Sequence, residues 1–248
     1  MDHRNYTYPA DLLSERIILI TGASDGIGRA LAVHAAGHGA QVILHGRNAE
    51  KLEKVYDEIE AIGDAPRPSI AVMDLAVAES NAYLTLADSL KAEFGRLDGL
   101  VHNAGILGEL YTIEQYDIEL WQKVMHVNLT SALALTQVCL PLLKESPDAS
   151  IIFTSSGVGR TGRAFWGAYC VSKFATEGLS QTLADEHRQG NIRSNCINPG
   201  GTRTKMRLAA FPGEDREQLK RPEDLMPTYM YLLGPDSAGV TGQSLDAQ

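Results

Sequence analysis

Three side chains of complementary chemistry stand close together in the sequence: Ser156, Tyr169 and Lys173. Tyr169 and Lys173 are i and i+4, so on a helix they share a face. Reducing a ketone puts negative charge on its oxygen as hydride arrives, and such a reaction needs a proton donor and a second hydrogen-bond donor aimed at that atom. A phenol and a hydroxyl supply the pair. A free phenol titrates near pH 10, and bringing it toward 7 takes about 4 kcal/mol of preferential phenolate stabilisation, part of which a lysine one turn away provides. Alone, Tyr-x-x-x-Lys decides little, because nine tyrosines and eight lysines in 248 residues give about 0.3 such pairs by chance. The setting adds weight: Ser156 ends an apolar run thirteen residues before Tyr169, and Gly157, Gly159 and Gly162 leave room for a substrate. The plainer alternative is a structural helix with a core tyrosine and a solvated lysine.

A second stretch, Ile17 to Ala32, reads as strand, glycine turn and helix. Gly22 permits a tight turn, Gly26 lets a diphosphate approach the backbone, and Gly28 lets the helix pack closely with its N-terminal amides aimed at an anion. The spacing is Gly-x-x-x-Gly-x-Gly, and an ordinary βα turn is the competing interpretation.

Positioning these groups requires a particular frame. Ala40 to His45, Ser69 to Met73, Leu97 to His102, Ala149 to Thr154, Asn191 to Ile197 and a short run near Ser244-Leu245 read as further strands. Between them, 48–62, 79–94, 118–143, 166–189 and 222–233 read as helices. Alternating units of this kind predict an α/β fold, a parallel sheet with helices on both faces and right-handed crossovers. Ligands then bind at the carboxyl ends of the strands, so the loops that matter begin at Gly22, Gly46, Asp74, Asn103, Ser155 and Pro199.

Composition narrows the function classes. Hydrophobic residues make up 44% and charged residues 21%, with no linker-like or low-complexity segment, which suits one domain over 1–248 with a large core. A net charge of −9 gives no broad basic footprint for nucleic acid or an anionic membrane. No apolar run approaches the ~18 residues of a membrane span, and the polar N-terminus lacks a signal-peptide layout. Cys139, Cys170 and Cys196 are odd in number and widely spaced, which fits a reducing cytoplasm better than disulfides or a metal site. His45, His102 and His126 lack ligand spacing and read as structural or pocket-rim residues.

Taken in order, Thr21-Gly-x-x-x-Gly-x-Gly28, Asn103-Ala-Gly105, Asn128, Ser156, Tyr169-x-x-x-Lys173 and Pro199-Gly-x-x-x-Thr204 resemble the compact branch of the short-chain dehydrogenase/reductase family across nearly the whole chain. The resemblance implies a Rossmann-type, doubly wound sheet of about seven strands that binds a nicotinamide cofactor and moves hydride between it and a carbonyl or alcohol. It implies Tyr169 as general acid/base, Ser156 on the substrate oxygen, Lys173 on the nicotinamide ribose and lowering the tyrosine's pKa, and Asn128 holding a relay water. It places the cofactor along Gly22, Ser24, Asp25, Gly26, Ile27 and Gly28. Further on it implies contacts from Asp74 and Leu75, from Asn103, Ala104 and Gly105, and from Pro199, Gly200, Thr202 and Thr204. For Asp74 the family role is a hydrogen bond to adenine; a helix-capping aspartate is the alternative. Two departures stand out: His102 where the family often has asparagine, and a chain ending Ser244-Leu-Asp-Ala-Gln248 without the family's usual Asp-Gly-Gly.

Cofactor choice is read at the end of the second strand. An NAD site carries an acid there for the ribose 2′-hydroxyl, whereas this chain has Gly46 followed by Arg47, a cation able to hold a 2′-phosphate. NADP is therefore expected, with Arg47 stacked on adenine or pointing to solvent as the alternative. A small carbonyl or alcohol is the expected substrate; a dinucleotide sensor or scaffold without turnover and an alcohol-oxidising dehydrogenase are the competing functions. Arg203, Lys205, Arg207, Arg216, Lys220 and Arg221 form a basic run that either steers anionic substrates or is a solvated loop. The apolar excess of 118–143, with the helix beginning at Tyr169, suggests a homodimer or homotetramer.

Overall fold

Seven strands, β1 (Ile17–Thr21), β2 (Gln41–Gly46), β3 (Ser69–Val72), β4 (Gly99–His102), β5 (Ala149–Thr154), β6 (Ile192–Asn198) and β7 (Ser244–Asp246), make one parallel sheet in the computed structural model, which describes residues 2–248. The order β3-β2-β1-β4-β5-β6-β7 has the chain run outward from β1, then return to β4 on its other side. Connections leave β1 and β4 in opposite directions, and a crevice opens above their carboxyl ends.

Strand alternation sends side chains to two cores. Ile18, Ile20, Val42, Leu44, Val101 and Ile152 face one side, where α1 (Gly26–Ala36), α2 (Ala49–Glu60) and α8 (Met226–Leu233) bring Leu31, Leu52, Ile59 and Leu233. Leu19, Ile43, Leu100, Ile151 and Phe153 face the other, against Leu90 of α3 (Ser80–Phe94), Leu135 and Leu142 of α5 (Ser131–Lys144) and Leu183 of α6 (Gly167–Glu186). Each fully buried Leu or Ile contributes roughly 1.5–3 kcal/mol, which is why these near-continuous apolar runs become central strands.

The helix expected over 118–143 is one continuous rod, Ile118–Lys144, but not a regular one. It comprises α4 (Ile118–Met125), a π-helical turn His126–Thr130, and α5. Contrary to the expectation of no span-like segment, its 27 residues are long and apolar enough to cross a membrane; half of its most apolar window is buried, as in a core helix packed on a sheet. The segment 199–221, read from sequence as a loop, holds a short helix, α7 (Lys205–Ala210). Pro222–Leu225 is a 3₁₀ turn leading into α8 rather than part of it, as the proline at its first position and Pro227 at the second of α8 favour.

Candidate active site

The glycine turn after β1 is shaped by steric need. Gly22 and Gly26 have φ of +67° and +54°, and a Cβ on Gly28 would lie 2.3 Å from the Gly22 carbonyl oxygen. Only glycine meets that last condition without moving the backbone. The Thr21 hydroxyl accepts the N–H groups of Asn103 and Ala104, both at 3.0 Å, and Asn103 Nδ2 donates to the Thr21 carbonyl at 3.1 Å. The ends of β1 and β4 are thereby stapled. Asp25 caps α1 by accepting from the Gly26 N–H at 2.8 Å. Gly22, Asp25, Gly26, Ile27, Asn103, Ala104 and Gly105 line one cleft, a cradle of backbone that fits a dinucleotide diphosphate. Gly28 sits behind it as a packing residue, Ser24 stands in the turn without lining the cleft, and the Asn103 amide is spent on the staple.

Ser156, Tyr169 and Lys173 line the same cleft. Ser156 follows β5 and accepts from the Val158 N–H at 3.4 Å; Tyr169 and Lys173 rise from the first turns of α6 and are both buried. Lys173 Nζ donates to the Thr154 carbonyl at 2.6 Å and lies 5.5 Å from the centre of the Tyr169 ring. Burial pushes the Tyr169 phenol up to about 12, with a hydrogen bond to Ser156 acting the other way, and pushes the Lys173 ammonium down to about 8. The expected depression of the phenol by Lys173 is therefore not a property of these side chains by themselves, since desolvation outweighs the favourable contacts.

Asn128 lies on the π-helical turn, where its carbonyl oxygen accepts from the Ile106 N–H at 2.8 Å. Its amide donates to the Ile106 carbonyl and to Ser172 Oγ, both at 3.0 Å. With both N–H groups used, the side chain ties the loop after β4 to α6.

Arg47 and Asp74 face a separate open groove with Trp121, Gln122 and His126. Arg47 is exposed and its side chain has no hydrogen bond or ion pair among the described residues, while a Cβ on Gly46 would press on Leu52 at 3.3 Å. Asp74 accepts from the Ala76 N–H at 2.9 Å, so it braces its own turn; α3 is preceded by Glu79, which corrects the helix-cap alternative. The side chain of Leu75 is buried in the core beside Leu19 and Ile43, leaving only its backbone for a ligand. His45 and His102 are core residues whose burial lowers them to about 4 and about 3; His102 bonds Thr136 Oγ1 at 2.8 Å, whereas neither ring nitrogen of His45 has a partner.

Over the cleft hangs the segment after β6. Pro199, Gly200, Thr202 and Thr204 line it, with Gly200 at φ +66° and the Thr202 hydroxyl donating to the Pro199 carbonyl at 3.1 Å. Thr204 caps α7 by accepting from the Arg207 N–H at 3.2 Å. Its basic run is neutralised in part: Arg203 pairs with Glu217, Arg207 with Glu214, and Lys205 reaches across the cleft to Asp25, while Arg216, Lys220 and Arg221 stand in no ion pair among the described residues. Leu107, Trp166, Met206 and Ala210 make the remaining wall apolar. Sequence reasoning named Lys205 only within the basic run and missed its pairing with Asp25, because a six-residue helix shows no periodicity, and it missed Thr154, which acts through a carbonyl that every residue type carries. Trp166, one of two tryptophans and one turn before Tyr169, was the available signal for the wall.

Comparison with known proteins agrees with this geometry. Residues 16–215 match the family model described as short chain dehydrogenase. The oxidoreductase YciK of Escherichia coli K12 is 51% identical over 98% of this chain and 96% of its own length. A solved short chain dehydrogenase from Shigella flexneri 2a, complexed with NADP, is 51% identical with a TM-score of 0.94, covering 97% of this chain and 100% of the other. One from Escherichia coli CFT073, complexed with NADPH, is 52% identical with a TM-score of 0.94 over the same shares.

Proposed function

The chain belongs to the short-chain dehydrogenase family, and from that premise we propose that it is an NADPH-dependent carbonyl reductase with Tyr169 as its general acid. The observation that carries this reading is the meeting of Ser156, Tyr169 and Lys173 in one cleft floored by the glycine turn. NADPH, when bound, supplies the hydride. The Ser156 and Tyr169 hydroxyls hold the carbonyl oxygen, and Tyr169 passes its proton to that oxygen as charge develops. Lys173, held by the Thr154 carbonyl, places a cation beside the phenol and favours its ionised form once the proton has left. Asn128 fixes the loop at Ile106 relative to α6, and the apolar wall of Leu107, Trp166, Met206 and Ala210 keeps water from the reacting centre.

For the cofactor, Arg47 is the cation and Gly46 the missing acid, and the NADP and NADPH complexes of the two relatives support the same choice. The glycine cradle suits the diphosphate that both forms share; the guanidinium suits the 2′-phosphate that only one carries. In steady-state kinetics kcat/KM for NADPH should exceed that for NADH by at least ~10-fold, the worth of one charge-assisted pair. Arg47→Ala should remove most of that preference by weakening NADPH alone. Equal values in the parent, or a variant that weakens both alike, would overturn the assignment.

The three buried, unpaired cysteines support a reducing compartment such as the cytoplasm. We also propose that two copies associate through the α4–α5 rod and α6, where Leu133, Val171 and Phe174 are left exposed. Light scattering at micromolar concentration should give a multiple of the chain mass; a monomer would reject the pairing.

A further inference from the structure

Most arginines of this protein are ion-paired, and the exceptions are informative. Among the described residues the arginines outside every ion pair are Arg47, Arg163, Arg216 and Arg221. Of these, Arg47 and Arg163 border hollows, on opposite sides of β1 and β4. Arg47 has its role at the cofactor end. Arg163 is unexplained.

Its surroundings describe a receptor. A hollow of about 400 Å³ adjoins the main cleft and shares Ser156, Trp166, Gly200 and Arg207 with it, and Arg163 forms part of its wall. The guanidinium carbon of Arg163 lies 5.6 Å from the centre of the Trp166 ring and 5.4 Å from that of Phe211. Aromatic contacts of this kind position a guanidinium without using its N–H donors, which stay free for an anion. Arg207, in the same hollow, supplies an internal contrast. It rests 3.9 Å over Phe211, but its donors are taken up by Glu214 through Nε and Nη2. One cation is paired and the other open, although acidic residues outnumber basic ones 31 to 22 in this chain.

We propose that Arg163 is a specificity-determining residue and that the substrates are oxo acids, with the carbonyl at Ser156 and Tyr169 and a carboxylate on Arg163. A planar carboxylate matches the guanidinium fork, and a single uncompensated cation suits a single negative charge better than a phosphate. The apolar body of the substrate lies along Trp166, which borders both hollows. This rests on the carbonyl-reductase reading, and the test separates the two.

With the holoenzyme and NADPH, 4-formylbenzoate and straight-chain oxo acids of increasing length are compared with their methyl esters. At the best length the acid should exceed its ester by about tenfold or more in kcat/KM, the factor for one charge-assisted contact. Arg163→Gln should bring that ratio to about one, and Arg163→Lys, which keeps the charge without the fork, should give an intermediate ratio. A ratio near one in the parent at every length, or one that survives Arg163→Gln, overturns the proposal. Tryptophan-fluorescence titration of the NADP complex with the same acids and esters supplies a readout independent of turnover. Selective, Arg163-dependent binding of the acids without any NADPH oxidation would sustain the arginine's role and reject the reductase; equal binding of acids and esters would reject the arginine's role.

Discussion

The floor of the crevice and the segment that covers it are held by different kinds of contact. On the floor, Thr21, Asn128 and Lys173 are each at most 5% exposed, and their polar atoms bond neighbouring backbone and, for Asn128, also the Ser172 hydroxyl, at 2.6–3.2 Å. Leaving one such buried group unpaired costs about 1–3 kcal/mol, so these contacts make and break with the fold itself. The cover relies on Lys205 with Asp25, whose side chains are 78% and 49% exposed, and on Arg203 with Glu217. Exposed pairs are typically worth about 0.2–1 kcal/mol and weaken with salt. The difference teaches that Ser156, Tyr169 and Lys173 stand on a base fixed by burial, while the segment over them is tied down in part by contacts that cost little to break.

The largest effect should come from the floor. Tyr169→Phe removes one hydroxyl from a side chain that otherwise keeps its packing, so the thermal midpoint and NADPH affinity should hold while kcat falls by ~100-fold or more. Near-normal turnover of that variant would break the contrast at its stronger end. The smallest should come from the cover. Lys205→Ala removes the only ion pair in which Asp25 takes part among the described residues, and should speed NADPH release by no more than ~5-fold, the equivalent of about 1 kcal/mol. Raising the salt concentration should act on the parent in the same direction, as stopped-flow fluorescence can follow. A loss of kcat comparable with that of Tyr169→Phe would place the cover with the floor.

The same division governs what could be read before the structure was known. The seven strands and the grouping of Ser156, Tyr169 and Lys173 were legible because their signals reside in residue type: apolar runs, glycines with no room for a Cβ, and a phenol one turn from an amine. Leu75 was named beside Asp74, which faces a groove, but its side chain turns into the core, so only its backbone is left for a ligand, a distinction that residue type does not carry. Asn128 was identified as a site residue, but its partners are the backbone of Ile106 and the hydroxyl of Ser172, which no spacing rule specifies. The basic run of the cover was visible, yet the pairing of Lys205 depends on Asp25, far away in sequence, and on the fold of a short helix with no period to detect. The burial that raises Tyr169 was hidden for a related reason: a helical turn reveals the neighbouring lysine but not the desolvation.

The π-helical turn at His126–Thr130 has a consequence for how the gene can change. Such a turn holds one residue more than an α-helical turn spanning the same rise, and it carries Asn128 into the site. Deleting a single codon within it would restore a regular hydrogen-bond ladder, a change that looks harmless locally. Everything beyond would keep its phase on the sheet, because the π-turn absorbs its extra residue within one rotation, whereas a deletion in the regular turns of α4 would turn Leu135, Cys139 and Leu142 by about 100° off the sheet they cover. Insertions and deletions in this rod are thus constrained to keep its phase, whereas the exposed stretch from Gly213 to Lys220 can gain or lose a residue at much smaller cost.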